Sequence, residues 1–361
     1  MTSKYLEEFE KLNTTTDSIY DLNGHKVLII LIDGTNLTSW DDVEWKHQSD
    51  SKYNDDVLYI SEDLSGHENL SERYKKLKSL RAIVALGVSD IVKNMEGMFS
   101  GCESLKDISS LCSWNVSGVT SMKNMFKFCE SLVDLDALKS WDVSKVNNME
   151  SMFQLCNNLT DLSALMNWDM SSVTNMESMF WGCSCLIDLS ALSDWNVSSV
   201  EYMGGMFFDC VNCIDLSGLE NWDVSKVSNM MGMFQGCYLL VDLSALKNWN
   251  VSGVTDMSEM FFGCYDLADV SGLNDWDVSN VENMESMFKD CGSLVDMSGL
   301  KNWDVSSVEN MGNDWYGMFQ NCHSLKDLSC LDNWDVSNVK HMRNIFEKCD
   351  SIKRYPKWYN E

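Results

Sequence analysis

W-D-M-S-S-V-T-N-M-E-S-M-F-W-G-C-S-C-L-I-D-L-S-A-L-S-D-W, residues 168–195, is one full copy of the unit from which most of this 361-residue chain is built. Its tryptophan recurs at Trp114, Trp141, Trp168, Trp195, Trp222, Trp249, Trp276 and Trp303, always 27 residues apart, and at Trp334 after 31. A fixed period of this length is the mark of a repeat architecture. One such unit is too small to bury its own apolar face, so copies must stack and share a core that grows along one axis. Function is then expected on repeated surfaces rather than in a single pocket.

Ten steps of M-F or I-F run from Phe99 to Phe346, with four extra residues, Asn313, Asp314, Trp315 and Tyr316, before Met318. The array starts before the first tryptophan. Tyr74, Leu77, Leu80, Ile83 and Leu86 repeat the spacing of Phe99, Cys102, Leu105, Ile108 and Leu111, which makes a degenerate first copy. Residues 1–67 lack the period and read as an N-terminal cap region with a hairpin around Asn23 and Gly24, the favoured two-residue turn. Lys4 to Leu12 has the pattern of a short helix, and the loop after Ile32 lacks the glycine-rich cradle and following helix of a phosphate site. Residues 68–350 form the repeat solenoid and residues 351–361, with the chain's one proline, Pro356, the C-terminal cap.

Within a copy, Val146, Met149, Phe153 and Cys156 fall at i, i+3, i+7 and i+10, the spacing of one face of a helix of about three turns. The following L-x-D-L-S has the pattern of a short strand. The expected fold is therefore an α/β solenoid with one short strand and one short helix per 27-residue turn and an N-terminal cap.

Composition narrows the function classes. A formal charge of −28 repels nucleic acid and anionic lipid and favours a basic partner or divalent cations. The N-terminal segment is amphipathic and acidic, without the apolar run of a secretory signal, and the longest apolar stretch is too short to cross a bilayer. As written, the chain reads as cytoplasmic, with no membrane insertion. Ten of the fourteen cysteines, from Cys102 to Cys349, share one phase and read as a core column of reduced thiols. Cys210 and Cys213 have the spacing of a zinc pair, but Cys213 stands where neighbouring copies have Leu186 and Leu240, so core packing is the better reading.

The unit L-x-x-W-D-V-S-x-V-x-N-M-x-x-M-F-x-x-C-x-x-L-x-D-L-S resembles the BspA-like leucine-rich repeats of mycoplasma-type surface proteins, over about three quarters of the chain. The resemblance implies a right-handed leucine-rich-repeat-like solenoid, a place at the cell surface, and a role in adhesion or protein interaction, with host or cell-surface proteins as partners, and no catalysis.

Two sets of residues are candidates for contact. The first is a file of aspartates, Asp107, Asp134, Asp161, Asp188, Asp215, Asp242, Asp269, Asp296 and Asp327, brought close together by stacking. Such carboxylates repel one another unless relieved. Either each fastens its own turn through the adjacent serine, or the file receives cations, a basic partner or sugar hydroxyls. In the second case the protein is a calcium-loaded or other cation-loaded structural repeat. The second set is copy-specific and aromatic: Trp181, Phe208, Tyr238, Phe262, Tyr265, Trp315 and Tyr316 stand at variable phases and read as exposed interface anchors. No catalytic constellation, metal site or cofactor motif emerges, since identical residues in nearly every copy make a lattice, and an active site needs unlike groups in one place. The reading is a non-enzymatic interaction protein. An enzyme confined to the first 67 residues is the remaining alternative.

Overall fold

The computed structural model describes residues 18–22, 25–32, 57–64, 66–78, 80–86 and 88–359. The expected helix over Lys4 to Leu12, the Asn23 and Gly24 turn and the loop after Ile32 lie outside these residues. The chain divides into two compact units, Met1–Ser172 and Val173–Glu361. Each contains stacked coils of the repeat, and each is a solenoid.

The first unit opens with a four-stranded sheet in the order β1 (Ser18–Leu22), β2 (His25–Ile32), β3 (Val57–Asp63) and β4 (Leu80–Leu86). β1 pairs antiparallel with β2, while β2 with β3 and β3 with β4 are parallel. β4 belongs to the degenerate first copy, and its Ala82 bridges in parallel to Asp107 of the next coil. The sheet thus continues the stacking direction of the coils, with Ile29, Tyr59, Ala82 and Asp107 in successive layers. β3 lay hidden in a stretch that reads as polar and carries none of the Trp, Met-Phe or Cys markers of the later copies.

The helix expected over Val146 to Cys156 is absent. This stretch is a run of tight turns in which Ser151 and Leu155 adopt left-handed backbone, φ 56° and 60°. Hydrogen bonding explains why. In the coil before it, the N–H groups of Asn124, Phe126 and Phe128 donate to Glu150, Met152 and Gln154 of the following coil at 2.8–2.9 Å. The intervening N–H groups of Met125, Lys127 and Cys129 donate back three residues within their own coil, at 3.0–3.1 Å. An α-helix would take every N–H for itself at i−4, and here every second one is claimed by the neighbour. The apolar spacing is met equally well by either arrangement: Met149, Met152, Phe153 and Cys156 are all fully buried.

The expected strand is reduced in the same way. L-x-D-L-S contributes single parallel bridges, such as Asp188 with Asp215 and Asp269 with Asp296, and then tightens into a three-residue 3-10 turn, as at Ser163–Leu165 and Ser217–Leu219. The one short helical element per coil is this 3-10 turn, displaced from where the periodicity placed it.

Columns of like residues fill the core of each unit, phenylalanine, tryptophan and cysteine among them. In the second unit Phe180, Phe207, Phe234, Phe261 and Phe288 stack with ring centroids 5.6–5.8 Å apart. Trp195, Trp222, Trp249 and Trp276 stack at 6.4 Å. The indole nitrogen of Trp249 donates to the carbonyl of Leu219 at 2.9 Å, so the buried polar edge of the ring is satisfied. Cys237 Sγ reaches the carbonyl of Phe207 at 3.3 Å, and Cys264 that of Phe234 at the same distance. All fourteen cysteines are free. Burial pushes the Cys210, Cys237 and Cys264 thiols well above their ordinary range and Cys213 up to about 12. They remain neutral, packed as small hydrophobes.

Candidate interaction surface

The aspartate file is built into the turns. Asp161 Oδ1 accepts the N–H of Ser163 at 2.7 Å and its Oδ2 accepts the Ser163 hydroxyl at 2.9 Å. The same two-oxygen pattern holds at Asp188, Asp215, Asp242 and Asp269. At Asp107, Asp134, Asp296 and Asp327 an oxygen accepts the N–H two residues on. Among the described residues, no three of His, Cys, Asp or Glu come together as metal ligands would.

A second ladder, W-[D or N]-V-S, makes the chemistry clearer by contrast. Asp277 Oδ1 accepts both the N–H and the hydroxyl of Ser279, and Asn250 Oδ1 does the same for Ser252. One oxygen suffices there, so asparagine and aspartate interchange. In the turns of Asp161, Asp188, Asp215, Asp242 and Asp269 both oxygens accept, and only a carboxylate supplies two acceptor atoms. This accounts for aspartate in those five copies without recourse to a ligand.

The Ser279 hydroxyl and N–H hold the Asp277 carboxyl below its ordinary range. The stabilisation this gives is present above the unfolded carboxylate pKa of about 3.9 and is lost as pH falls through the lower folded value. Asp277→Asn is expected to leave the urea midpoint unchanged at neutral pH and to flatten its fall in acid, whereas Asp215→Asn lowers the midpoint at neutral pH. Since the carboxylates are capped by their own turns, thermal melts in EDTA and in millimolar calcium are expected to coincide. A large rise with calcium would show that the file forms ion sites.

The seven aromatic candidates, all in the second unit, gather into small groups. Trp181 and Phe208 lie on successive coils with ring centroids 4.6 Å apart, and Tyr238 stacks on Tyr265 at 4.9 Å. Lys289 Nζ sits 4.0 Å from the centroid of Phe262 and 4.8 Å from that of Tyr316, and pairs with Asp290 at 2.9 Å. The four-residue insertion therefore folds a tyrosine over an otherwise buried lysine and leaves Trp315 at 77% exposure. Tyr238, Tyr265, Trp315 and Tyr316 are exposed. Trp181, Phe208 and Phe262 are half-buried rather than exposed, because their phase lies between two left-handed turn residues and stacks coil on coil.

A further surface group carries no mark of its own in the sequence. The residue between the core leucine (Cys213 in one coil) and the aspartate is apolar in five consecutive coils of the second unit: Ile187, Ile214, Val241, Ala268 and Val295. All five are exposed, Ile187 at 51%, Ile214 at 47%, Val241 at 51% and Val295 at 53%. Tyr238, Leu239 and Tyr265, also exposed, precede this phase in the same stretch of coil. The clue was available. The same phase holds Lys106 and Lys326 elsewhere, so it faces outward, and apolar residues there are not required by the core.

The family model described as "Mycoplasma protein of unknown function, DUF285" matches residues 68–163, 157–242, 208–316 and 239–358. The match spans the repeat array and bears out the resemblance carried by its W-D-V-S and M-x-x-M-F-x-x-C signature. Among solved structures, that of a leucine rich cell surface protein from Faecalibacterium prausnitzii A2-165 is similar, with 14% sequence identity, 97% of this chain and 95% of that chain covered, and a TM-score of 0.39. A search of curated proteins finds no match.

Proposed function

The chain belongs to the family described as Mycoplasma protein of unknown function, DUF285, and from that premise we propose that it is a non-enzymatic protein-binding solenoid, suited to adhesion. Its contact surface is the exposed apolar band of the second unit. The observation that carries this reading is the band itself. Ile187, Ile214, Val241 and Val295 are about half exposed at a phase where the fold accepts lysine. Contiguous exposed apolar surface on a stable scaffold is the usual mark of an interaction site. The stacked Tyr238 and Tyr265 rings add amphipathic anchors beside it.

The backbone beneath is rigid in the sense that matters for binding. The Asp215 and Asp242 turns hold the two ends of each tripeptide in place, so ordering the surface adds little further entropy cost on association. The aspartates flank the band and select against acidic partners.

The test is selection of peptides from a random displayed library on the full chain, followed by binding of the selected peptides to Ile214→Ser/Val241→Ser. Both side chains are exposed, so the double variant should melt with the wild type. The expected result is a loss of affinity of about tenfold or more, the scale of two buried aliphatic contacts. Peptides that bind both proteins equally would place the contact surface elsewhere.

A further inference from the structure

We infer that the first unit carries a binding site for a small polyanion, a molecule with two or more carboxylate or phosphate groups, in a notch between its first coils. The site is independent of the apolar band.

The notch has a simple origin. At the phases where the turns face outward, the coil in the middle carries Gly97, Ser100 and Gly101, while the coils on either side carry Glu72, Lys75 and Lys76, and Asn124, Lys127 and Phe128. Small residues between two rows of long ones leave a hollow of about 540 Å3. Gly101 has φ 80°, and a side chain there would meet the Lys76 backbone at 3.3 Å, which keeps the floor bare. The volume is that of an ordinary small-ligand site.

Its charge runs against the rest of the molecule. In a chain with a formal charge of −28, the notch is walled by Lys75, Lys76, Lys123 and Lys127 against two carboxylates, Glu72 and Glu96. Lys75 is tied to Glu72, Lys123 to Glu150 at 2.7 Å, and the Ser121 hydroxyl donates to Glu96 at 2.7 Å. Among the described residues no carboxylate lies within ion-pair distance of Lys76 or Lys127, one on each wall. Burial depresses the Lys127 amine, a displacement that a bound anion would reverse. Phe128, 38% exposed at the rim with the Lys127 amine 5.4 Å from its centroid, offers a flat apolar wall for the uncharged part of the ligand.

The repeat itself supplies substitutions the fold tolerates. The phase of Ser100 and Lys127 holds Gln154, Phe208, Gln235 and Phe262 in other coils. Lys127→Gln removes a charge and Ser100→Phe fills the hollow, each with a residue already present at that phase.

Calorimetric titration of the full chain at low salt with pyrophosphate, and separately with citrate, tests the site. The expected result is one site with a dissociation constant of about 1 mM or tighter. Lys127→Gln should weaken it by about fivefold or more, with Ser100→Phe abolishing it. Binding of pyrophosphate alone would assign the site to phosphate ligands and of citrate alone to carboxylates. No binding of either anion, or binding that both variants leave unchanged while melting like the wild type, overturns the proposal.

Discussion

Replacing Phe234 with alanine is expected to lower the stability of the second unit by about 3–5 kcal/mol, the cost of deleting a fully buried ring that the surroundings cannot collapse to fill. The ring is wholly buried and stacked between Phe207 and Phe261 at 5.8 Å on both sides. Its backbone leaves no freedom to close the gap. The Phe234 N–H is bonded to Met260 of the next coil at 2.9 Å and its carbonyl accepts the Cys264 thiol. Because each coil is held chiefly by its neighbours, a cavity in the middle of an array also weakens the two interfaces it belongs to. Urea unfolding followed by tryptophan fluorescence reads the effect. A loss below about 1 kcal/mol would mean that the column is loosely packed.

Gly218→Ala is expected to cost about 1–3 kcal/mol, the range for overpacking, although alanine occupies the same phase in the coils before and after it. Ala191 and Ala245 are the natural precedents, and a reading by repeat alone would judge the change harmless. The geometry says otherwise: a Cβ on Gly218 would lie 2.0 Å from the Leu189 carbonyl oxygen and 2.9 Å from the Ser190 nitrogen, both backbone. The glycine coil sits closer to its predecessor, and admitting a methyl group requires the two coils to separate. The reciprocal change, Ala245→Gly, should cost less, since it removes only a methyl group and adds backbone freedom of about 1 kcal/mol. Parallel urea titrations of the two variants decide the point. Equal midpoints would show that the coil spacing relaxes freely.

What the repeat period made legible was the solenoid, its core columns and the terminal position of the degenerate first copy. Val146, Met149, Phe153 and Cys156 were correctly placed inside, yet in the wrong secondary structure. An apolar spacing records which side chains face the core and is silent on where the N–H groups go. The glycines at residues 97, 101, 182, 205, 232, 236 and 263, all with positive φ, were the local sign that this stretch could not be helical. Phe128 and Leu155 take the same conformation without glycine, Phe128 with its N–H bonded to Gln154 of the next coil at 2.8 Å, and no local propensity announces that.

The surface was less legible for a related reason. Aromatic residues draw attention by size, and three of the seven singled out, Trp181, Phe208 and Phe262, turn out half-buried against their neighbours. Ile187, Ile214 and Val241 look like core residues in a one-dimensional reading. Their exposure follows from the strict alternation around Leu186, Cys213 and Leu240, which point inward, so the next residue points out. The notch in the first unit depends on comparing three coils at once, and no single stretch of sequence contains it.

The proposal that the second unit binds protein through the apolar band meets its sharpest test in amide hydrogen exchange of the full chain, with and without a peptide selected on it. Slowed exchange is expected to concentrate at residues 187–188, 214–215, 241–242 and 295–296. Slowing confined to residues 181, 208 and 262, or to the insertion at 313–316, would contradict it and move the contact surface to the aromatic columns.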